Sequence, residues 1–563
     1  MQLNGSLMLM HALKNEGVKV VFGYPGGAAL NIYDEIYKQD FFKHILVRHE
    51  QAAVHAADGY ARASGEVGVA IVTSGPGFTN AVTGIATAYM DSIPLVIISG
   101  QVPTSLIGTD AFQEIDAVGI SRPCTKHNYL VKDIQSLPRI LKEAFFIARS
   151  GRPGPVHIDL PKDISATIGE FNYPQNISLE TYKPTYKGNT RQIQKAATAI
   201  KESKKPLLYI GGGSVASNAR DSILKLCEIT KIPAIETLMA RGVLRYDCEN
   251  LLGMVGMHGS YVANMAMSEA DLLIALGARF DDRVTGKLSE FAKGAQIIHI
   301  DIDPSSISKI VQVDYPIVGD VCNVVDEIAE LLDGDYDCEI HRPWRDSLEK
   351  YNTLHPLNFK DSNEVLKPQW VIQKVGEIVR GNAFVSTDVG QHQMWCAQFY
   401  PFSSPREFIT SGGLGTMGFG LPAAMGAKCA YPNKISINIS GDGSILMNIQ
   451  ELLTCVAENI PVINIVLNNN YLGMVRQWQS FFYDERFSNT NLEIQPDFVK
   501  LVESFGGVGY VCEDKDSFEK ALKDAISQNK VALLDVRIDR MENVLPMVPT
   551  GGALFNMILE SKE

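Results

Sequence analysis

"EQAAVHAADGYARASGEVGVAIVTSGPG" occupies residues 50–77, and its pattern returns late in the chain as "LPAAMGAKCAYPNKISINISGDG", residues 421–443. Each copy reads as a helix of small residues, an apolar strand and a Ser-Gly-x-Gly turn. Each continues through a helical stretch into Ile-Pro and a second apolar strand, "IPLVIISG" (93–100) or "IPVINIVLNN" (460–469). So many matches in one order point to duplication. Strands alternating with helices imply parallel sheets with crossover connections. The expected fold is α/β, with three doubly wound parallel-sheet domains: a first (1–170) and a third (365–550) that are related, and a Rossmann-like middle domain (185–345). In such sheets ligands bind at the carboxyl ends of the strands.

The middle unit opens with "KKPLLYIGGGSVAS" (204–217), a strand followed by three glycines and the start of a helix. Such a turn can admit a phosphate at the helix N-terminus, and it also reads as a plain structural turn. Downstream, "AQIIHIDIDPSSIS" (295–308) brings Asp301 and Asp303 to a strand end, where an acid often meets a ribose hydroxyl. The unit therefore reads as nucleotide-binding. Its flanks, "NYPQNISLETYKPTYKGNT" (172–190) and "HRPWRDSLEKYNTLHPLNFKDSNE" (341–364), are rich in Pro, Asn and Lys and read as linkers.

Composition narrows the class. With 563 residues, 45% of them hydrophobic and 20% charged, the chain has ample core for a globular protein. A net charge of −13 argues against a nucleic-acid surface, although a few local Arg and Lys suffice for a small anion. The 9 cysteines show no paired CxxC spacing, which suits reduced thiols. No basic segment leads into an apolar run at the N-terminus, and no stretch reaches roughly 18 uninterrupted apolar residues. Neither a signal peptide nor a membrane span is expected, and the expected location is the cytoplasm.

The two copies differ where chemistry is carried. The first has Pro76 in its turn; the second has Asp442, and a carboxylate at a strand end can hold a metal. "LNNN" (467–470) ends the next strand, so Asp442 and Asn469 finish successive strands on either side of one helix. Neighbouring parallel strands lie about 4.8 Å apart, close enough for two oxygen ligands to share one hard cation. Magnesium takes a few such ligands together with phosphate oxygens and water. Gly441 and Gly443 let a diphosphate approach the main chain, and the helix running on through Ser444 offers free N–H groups. In the first copy the acid is instead Glu50, between the strand "HILV" and its helix. By itself it reads as a helix-capping acid, suited to the helix dipole.

Gly441-Asp442-Gly443 followed by Asn468-Asn469 resembles the binding signature of thiamine-diphosphate enzymes. The resemblance implies Asp442 and Asn469 as side-chain ligands of Mg²⁺, and Tyr471 as a ligand through its main-chain carbonyl. It implies that Gln391 and His392 of "VGQHQMW" (389–395) meet the diphosphate. Met417 in "GTMGFGLP" (415–422) would support the bent cofactor, with Gly473 and Met474 as further contacts. Glu50 takes the place of the family's glutamate at the aminopyrimidine N1′. Sharing a proton with the ring favours the imino tautomer, whose nitrogen can remove the thiazolium C2 proton. The two sides of such a site come from different subunits, which implies a homodimer or homotetramer.

Over nearly the whole chain the resemblance is to the large, catalytic subunits of biosynthetic acetohydroxyacid synthases. It is carried by "FGYPGGAALNIYDEI", "RHEQAAVHAADGYARASG", "TSGPGFTN", "GRPGPVHIDLPKDI", "ALGARFDDRVTGK", "GQHQMWCAQFY" and "GMVRQWQSFFY". Such enzymes decarboxylate pyruvate and transfer the two-carbon unit to pyruvate or 2-ketobutyrate, giving precursors of valine, leucine and isoleucine. The resemblance implies Arg283 at the second substrate's carboxylate and Trp478 as selector of 2-ketobutyrate. Phe112, Gln113 and Lys162 would line the approach to the thiazolium, and Gly27, Met257 and Val475 would complete the pocket. FAD is implied in the middle domain, at Arg152, His258, Arg279, Asp301 and Asp320. A small regulatory subunit is implied as partner, without nucleic acid or membrane. Two related activities compete: a catabolic acetolactate synthase without FAD, and a pyruvate oxidase whose flavin does redox work. A non-catalytic scaffold would be expected to lack Glu50, Asp442 or Asn469, and all three are present.

Overall fold

The computed structural model describes residues 1–334 and 336–560. It contains three six-stranded sheets, each parallel throughout. In chain order the strands of the first are Val20–Gly23, Lys43–Leu46, Gly68–Val72, Leu95–Gln101, His127–Leu130 and Pro155–Pro161, and side by side they run 2-1-3-4-6-5. The third sheet is built from Ala383–Thr387, Phe408–Thr410, Ile435–Gly441, Ile463–Asn468, Val508–Cys512 and Ala532–Arg537, in the same order 2-1-3-4-6-5. An identical non-sequential order in both copies is what duplication of the whole domain leaves behind.

The middle sheet holds Pro206–Ile210, Ala234–Glu236, Leu251–Met254, Leu272–Leu276, Gln296–Asp301 and Tyr315–Val318 in the order 3-2-1-4-5-6. This is the doubly wound order of dinucleotide-binding folds. Its switch point lies between Pro206–Ile210 and Leu272–Leu276, where connections leave for opposite faces of the sheet. Central strands such as Gly68–Val72 and Leu272–Leu276 are buried at every position, as sheets covered on both faces require.

The first and third domains share one core. Helix Glu50–Ser64 packs on helix Gly420–Ala430, each belonging to one copy of the repeat. A Cβ on Gly426 would lie 1.9 Å from the Ala56 carbonyl oxygen, and one on Gly59 would lie 2.2 Å from that of Ala423. Only glycine permits this backbone contact. Around it Phe22, Ile45 and Val47 of the first domain join Leu421, Met425 and Leu452 of the third in a single apolar cluster.

The stretch 341–364 differs from its reading as a linker. Residues Arg342–Leu354 form a helix that buries Trp344 and Leu348, and the Trp344 indole N–H donates to the Pro206 carbonyl at 3.2 Å. Trp344, Leu348 and Tyr351 fall at helical spacing on one face, a sparse stripe that the surrounding charges conceal. Among the described residues no helix is long and apolar enough to cross a membrane.

Candidate active site

Glu50 opens its helix and is only 9% exposed. The turn before it is set by His49, whose ring nitrogen accepts from the Gln51 N–H at 3.2 Å, so a neighbour supplies the cap and frees the Glu50 carboxylate. That carboxylate instead accepts from the Asn80 amide at 2.9 Å. The Gly-Pro-Gly turn passes close by: a Cβ on Gly77 would stand 3.4 Å from Glu50 Oε1. Gly75 has φ +58°, and a Cβ there would meet the Gln113 carbonyl oxygen at 2.8 Å. The turn thus joins Glu50 and Gln113 on one face of the first domain. Phe112 beside it is 88% exposed, and Lys162 begins a short helix at the end of strand Pro155–Pro161. A Cβ on Gly27 would meet nothing within 4 Å, so no neighbour within the chain demands a glycine there.

At the corresponding strand ends of the third domain, Asp442 is buried and accepts from the Gln495 side-chain amide. Burial pushes its carboxyl up to about 7, against the opposing pull of Gln495 and of main-chain N–H groups including that of Asn470. Asn469 folds back so that its Oδ1 accepts from the Tyr471 N–H at 3.0 Å. Its Nδ2 donates to Gln391 Oε1 at 3.4 Å, and Gln391 Nε2 is taken up by Gln477 at 2.8 Å and the Glu542 carbonyl at 3.0 Å. His392 packs on Gly441, where a Cβ would lie 3.2 Å from its Nδ1. Burial drives this imidazole down to about 3, so it is neutral, and its buried Nε2 has no protein partner. A buried orphan nitrogen beside a glycine turn is an opening for a ligand oxygen. No group of three or more His, Cys, Asp and Glu is gathered as a metal cluster among the described residues. A cation here would have to draw on one acid, one amide and a main-chain carbonyl, a set that suits a hard ion shared with a diphosphate.

A cavity of about 760 Å³ is lined by residues of all three domains. Its floor is the middle sheet's switch point, at Gly211–Gly213 and Gly277–Arg279, where the glycines let the two turns touch. Arg152, His258, Arg279, Asp301 and Asp320 are among its lining residues, and so are Met257, Arg283, Met417, Met474, Val475 and Trp478. The buried Thr237 hydroxyl on its wall has no partner. His258 is pushed down to about 4 by burial, so its neutral Nδ1–H donates to the Pro546 carbonyl at 3.2 Å. Arg279 is paired with Asp281, and Arg152 reaches Ser92 Oγ at 2.7 Å and Asp303 at 3.5 Å. The chemistry of this lining, arginines including Arg152 and Arg279 with acids at strand ends and open glycine turns, fits a dinucleotide.

Arg152, His258, Arg279, Asp301 and Asp320 thus share one cavity with Met257, Arg283, Val475 and Trp478, whereas Gly27, Glu50, Phe112, Gln113 and Lys162 lie outside its lining, as do Asp442 and Asn469. Three partners of the site carried no sequence signal that singled them out. Asn80 lies 30 residues from Glu50, Gln495 lies 53 from Asp442, and Thr237 shows only by its orphaned hydroxyl.

Comparison with known proteins follows the same division. Residues 3–120, 193–328 and 388–536 match, in turn, the N-terminal TPP binding domain, the central domain and the C-terminal TPP binding domain of thiamine pyrophosphate enzymes. The chain is 48% identical over 572 residues to the acetolactate synthase isozyme 3 large subunit of Escherichia coli, covering 100% of this chain and 99% of that protein. It is 48% identical over 573 residues to the acetolactate synthase large subunit of Haemophilus influenzae, with the same coverage of 100% and 99%. A probable acetolactate synthase large subunit of Methanocaldococcus jannaschii is 48% identical over 565 residues, covering 99% of this chain and 95% of that protein.

Proposed function

This chain belongs to the thiamine pyrophosphate enzymes, within the acetolactate synthase large-subunit family, and from that premise we propose how its residues divide the work. The protein is a biosynthetic acetohydroxyacid synthase: it decarboxylates pyruvate and joins the two-carbon unit to a second 2-keto acid. Thiamine diphosphate, when bound, supplies the electron sink that decarboxylation requires.

Asp442, Asn469 and the Tyr471 carbonyl would hold Mg²⁺, and His392 Nε2 and the N–H groups after Gly441 would hold the diphosphate. Gln391 acts by holding Asn469, since its own amide is already engaged. Glu50 would stand at the aminopyrimidine end, its carboxylate fixed by Asn80. Arg283 pairs with the second substrate's carboxylate, a role suited to its two-pronged geometry. Trp478 offers apolar contact to the extra methylene of 2-ketobutyrate, a discrimination of about 1–3 kcal/mol. Arg152, His258, Arg279, Asp301 and Asp320 would hold FAD in the cavity on the middle sheet. Glu50, Gln113 and Lys162 then complete a site whose metal end comes from a second copy, as a homodimer or homotetramer. A small regulatory subunit and a cytoplasmic setting belong to the same reading; nine unpaired cysteines support the latter.

The observation that carries this division is the single cavity joining Arg152 and Asp301 to Arg283 and Trp478. A cavity lined by strand-end acids and glycine turns as well as by Arg283 and Trp478 favours a flavin-binding carboligase over a flavin-free one or an oxidase. The test is retention through gel filtration after loading with thiamine diphosphate, Mg²⁺ and FAD. Asp442→Ala should lose thiamine diphosphate and keep FAD, and Arg152→Ala should do the reverse. Loss of both cofactors from either variant, or of neither, contradicts the division.

A further inference from the structure

The main chain leading into Glu50 is gripped by another domain. Strand Lys43–Leu46 is the outermost of the first sheet, so its outward N–H groups have no strand partner. Against it lies helix Glu451–Ala457 of the third domain, which begins nine residues after Asp442. Glu451 is 0% exposed, and its Oε1 and Oε2 accept from the Arg48 N–H at 3.0 and 3.2 Å. The His49 N–H also bears on this carboxylate, and Thr454 Oγ1 donates to Oε2 at 2.7 Å. At the other end of the helix, Lys43 reaches Glu458 Oε2 at 3.1 Å. Between these two ends Ile45 and Val47 share a core with Leu452 and Cys455.

A buried carboxylate is costly unless its hydrogen bonds are made. Stability alone would be served by an apolar residue facing the edge strand, yet the chain places an acid on the two residues that precede Glu50. We propose that Glu451 is a positioning residue, which fixes the main chain at Arg48 and His49 and thereby sets where the Glu50 carboxylate meets the aminopyrimidine. The inference rests on the reading of Glu50 given above. It also makes the helix after the metal acid Asp442 a strut for Glu50 of the same chain. Where a cofactor is shared between copies, that strut mechanically joins one site to the other.

Exchange of the C2 hydrogen of bound thiamine diphosphate into D₂O, followed by acid quench and NMR, reads Glu50 without turnover. Glu50→Gln should abolish rapid exchange. Glu451→Gln, which keeps the volume and one acceptor, should slow it about tenfold while the cofactor stays bound and the melting temperature is held. Glu451→Asp, which keeps the charge, should recover more of the rate than Glu451→Gln. Exchange at the parent rate in Glu451→Gln, with Glu50→Gln inactive, overturns this inference alone. Slow exchange accompanied by loss of cofactor also overturns it, since Glu451 would then merely support the fold. Rapid exchange in Glu50→Gln overturns the reading of Glu50, and this inference with it.

Discussion

The side-chain amide of Asn80 donates to the carboxylate of Glu50 across 2.9 Å. The bond links the helix that follows the Gly-Pro-Gly turn to the first turn of the helix before it, and so fixes a short acidic side chain from outside its own helix. Asn80→Ala should therefore lower kcat about tenfold, with a smaller change in KM, because it disturbs the acid's geometry more than substrate binding. Steady-state kinetics at saturating cofactor is the check. An unaltered kcat would mean that the bond does not orient the acid.

Trp478 lines the cavity beside Val475 and stacks edge-on against Phe482, with ring centroids 5.5 Å apart. Trp478→Leu should shrink the preference for 2-ketobutyrate over pyruvate by roughly tenfold when both compete, the scale of one methylene contact. The ratio of the two acetohydroxy acids measures this directly. The same ratio in parent and variant would remove Trp478 from specificity.

Asp388 supplies a pH prediction. It directly follows strand Ala383–Thr387, is fully buried, and is pushed by burial from 3.8 up to about 6, although Gly418, Gly420 and Ser444 pull the other way. Between those two values the folded protein holds a proton that the unfolded chain has released. Stability therefore falls as pH rises through the window and is flat above it. A shift of about two pH units corresponds to at most about 3 kcal/mol. Asp388→Asn, permanently neutral, should flatten the melting temperature of the cofactor-free protein over that range and leave the variant no less stable than the parent at pH above 7. An unchanged slope would place the dependence on other groups.

Gly426 tests the shared core of the first and third domains. A side chain there would run into the Ala56 carbonyl 1.9 Å away, and backbone must move to admit it. Gly426→Val should destabilise the protein by roughly 2–4 kcal/mol, seen as a lower melting temperature and faster proteolysis. Gly294, where a Cβ meets nothing within 4 Å, is the control, and Gly294→Ala should melt with the parent. Equal melting of all three would contradict the close helix crossing.

The duplicated sheets were legible because their signals are local: strand, turn and helix recur in one order, and the strand ends carry the differing residues Pro76 and Asp442. The helix Arg342–Leu354 was missed because it is mostly polar and packs only one narrow face, through Trp344 and Leu348. The partners of the site were illegible for a different reason. Asn80, Gln495 and Glu451 act through bonds to residues 30, 53 and 403 positions away, and nothing in periodicity or spacing brings such pairs together. Gly27 is a different case: no neighbour in the chain demands a glycine there, so its place in the pocket rests on the resemblance alone.

The most direct test of the account is the product formed when the purified protein, loaded with thiamine diphosphate, Mg²⁺ and FAD, is given pyruvate with and without 2-ketobutyrate. 2-Acetolactate should form from pyruvate alone, and 2-aceto-2-hydroxybutyrate should be the main product when both are present. Hydrogen peroxide with acetyl phosphate or acetate, and no acetohydroxy acid, would contradict it.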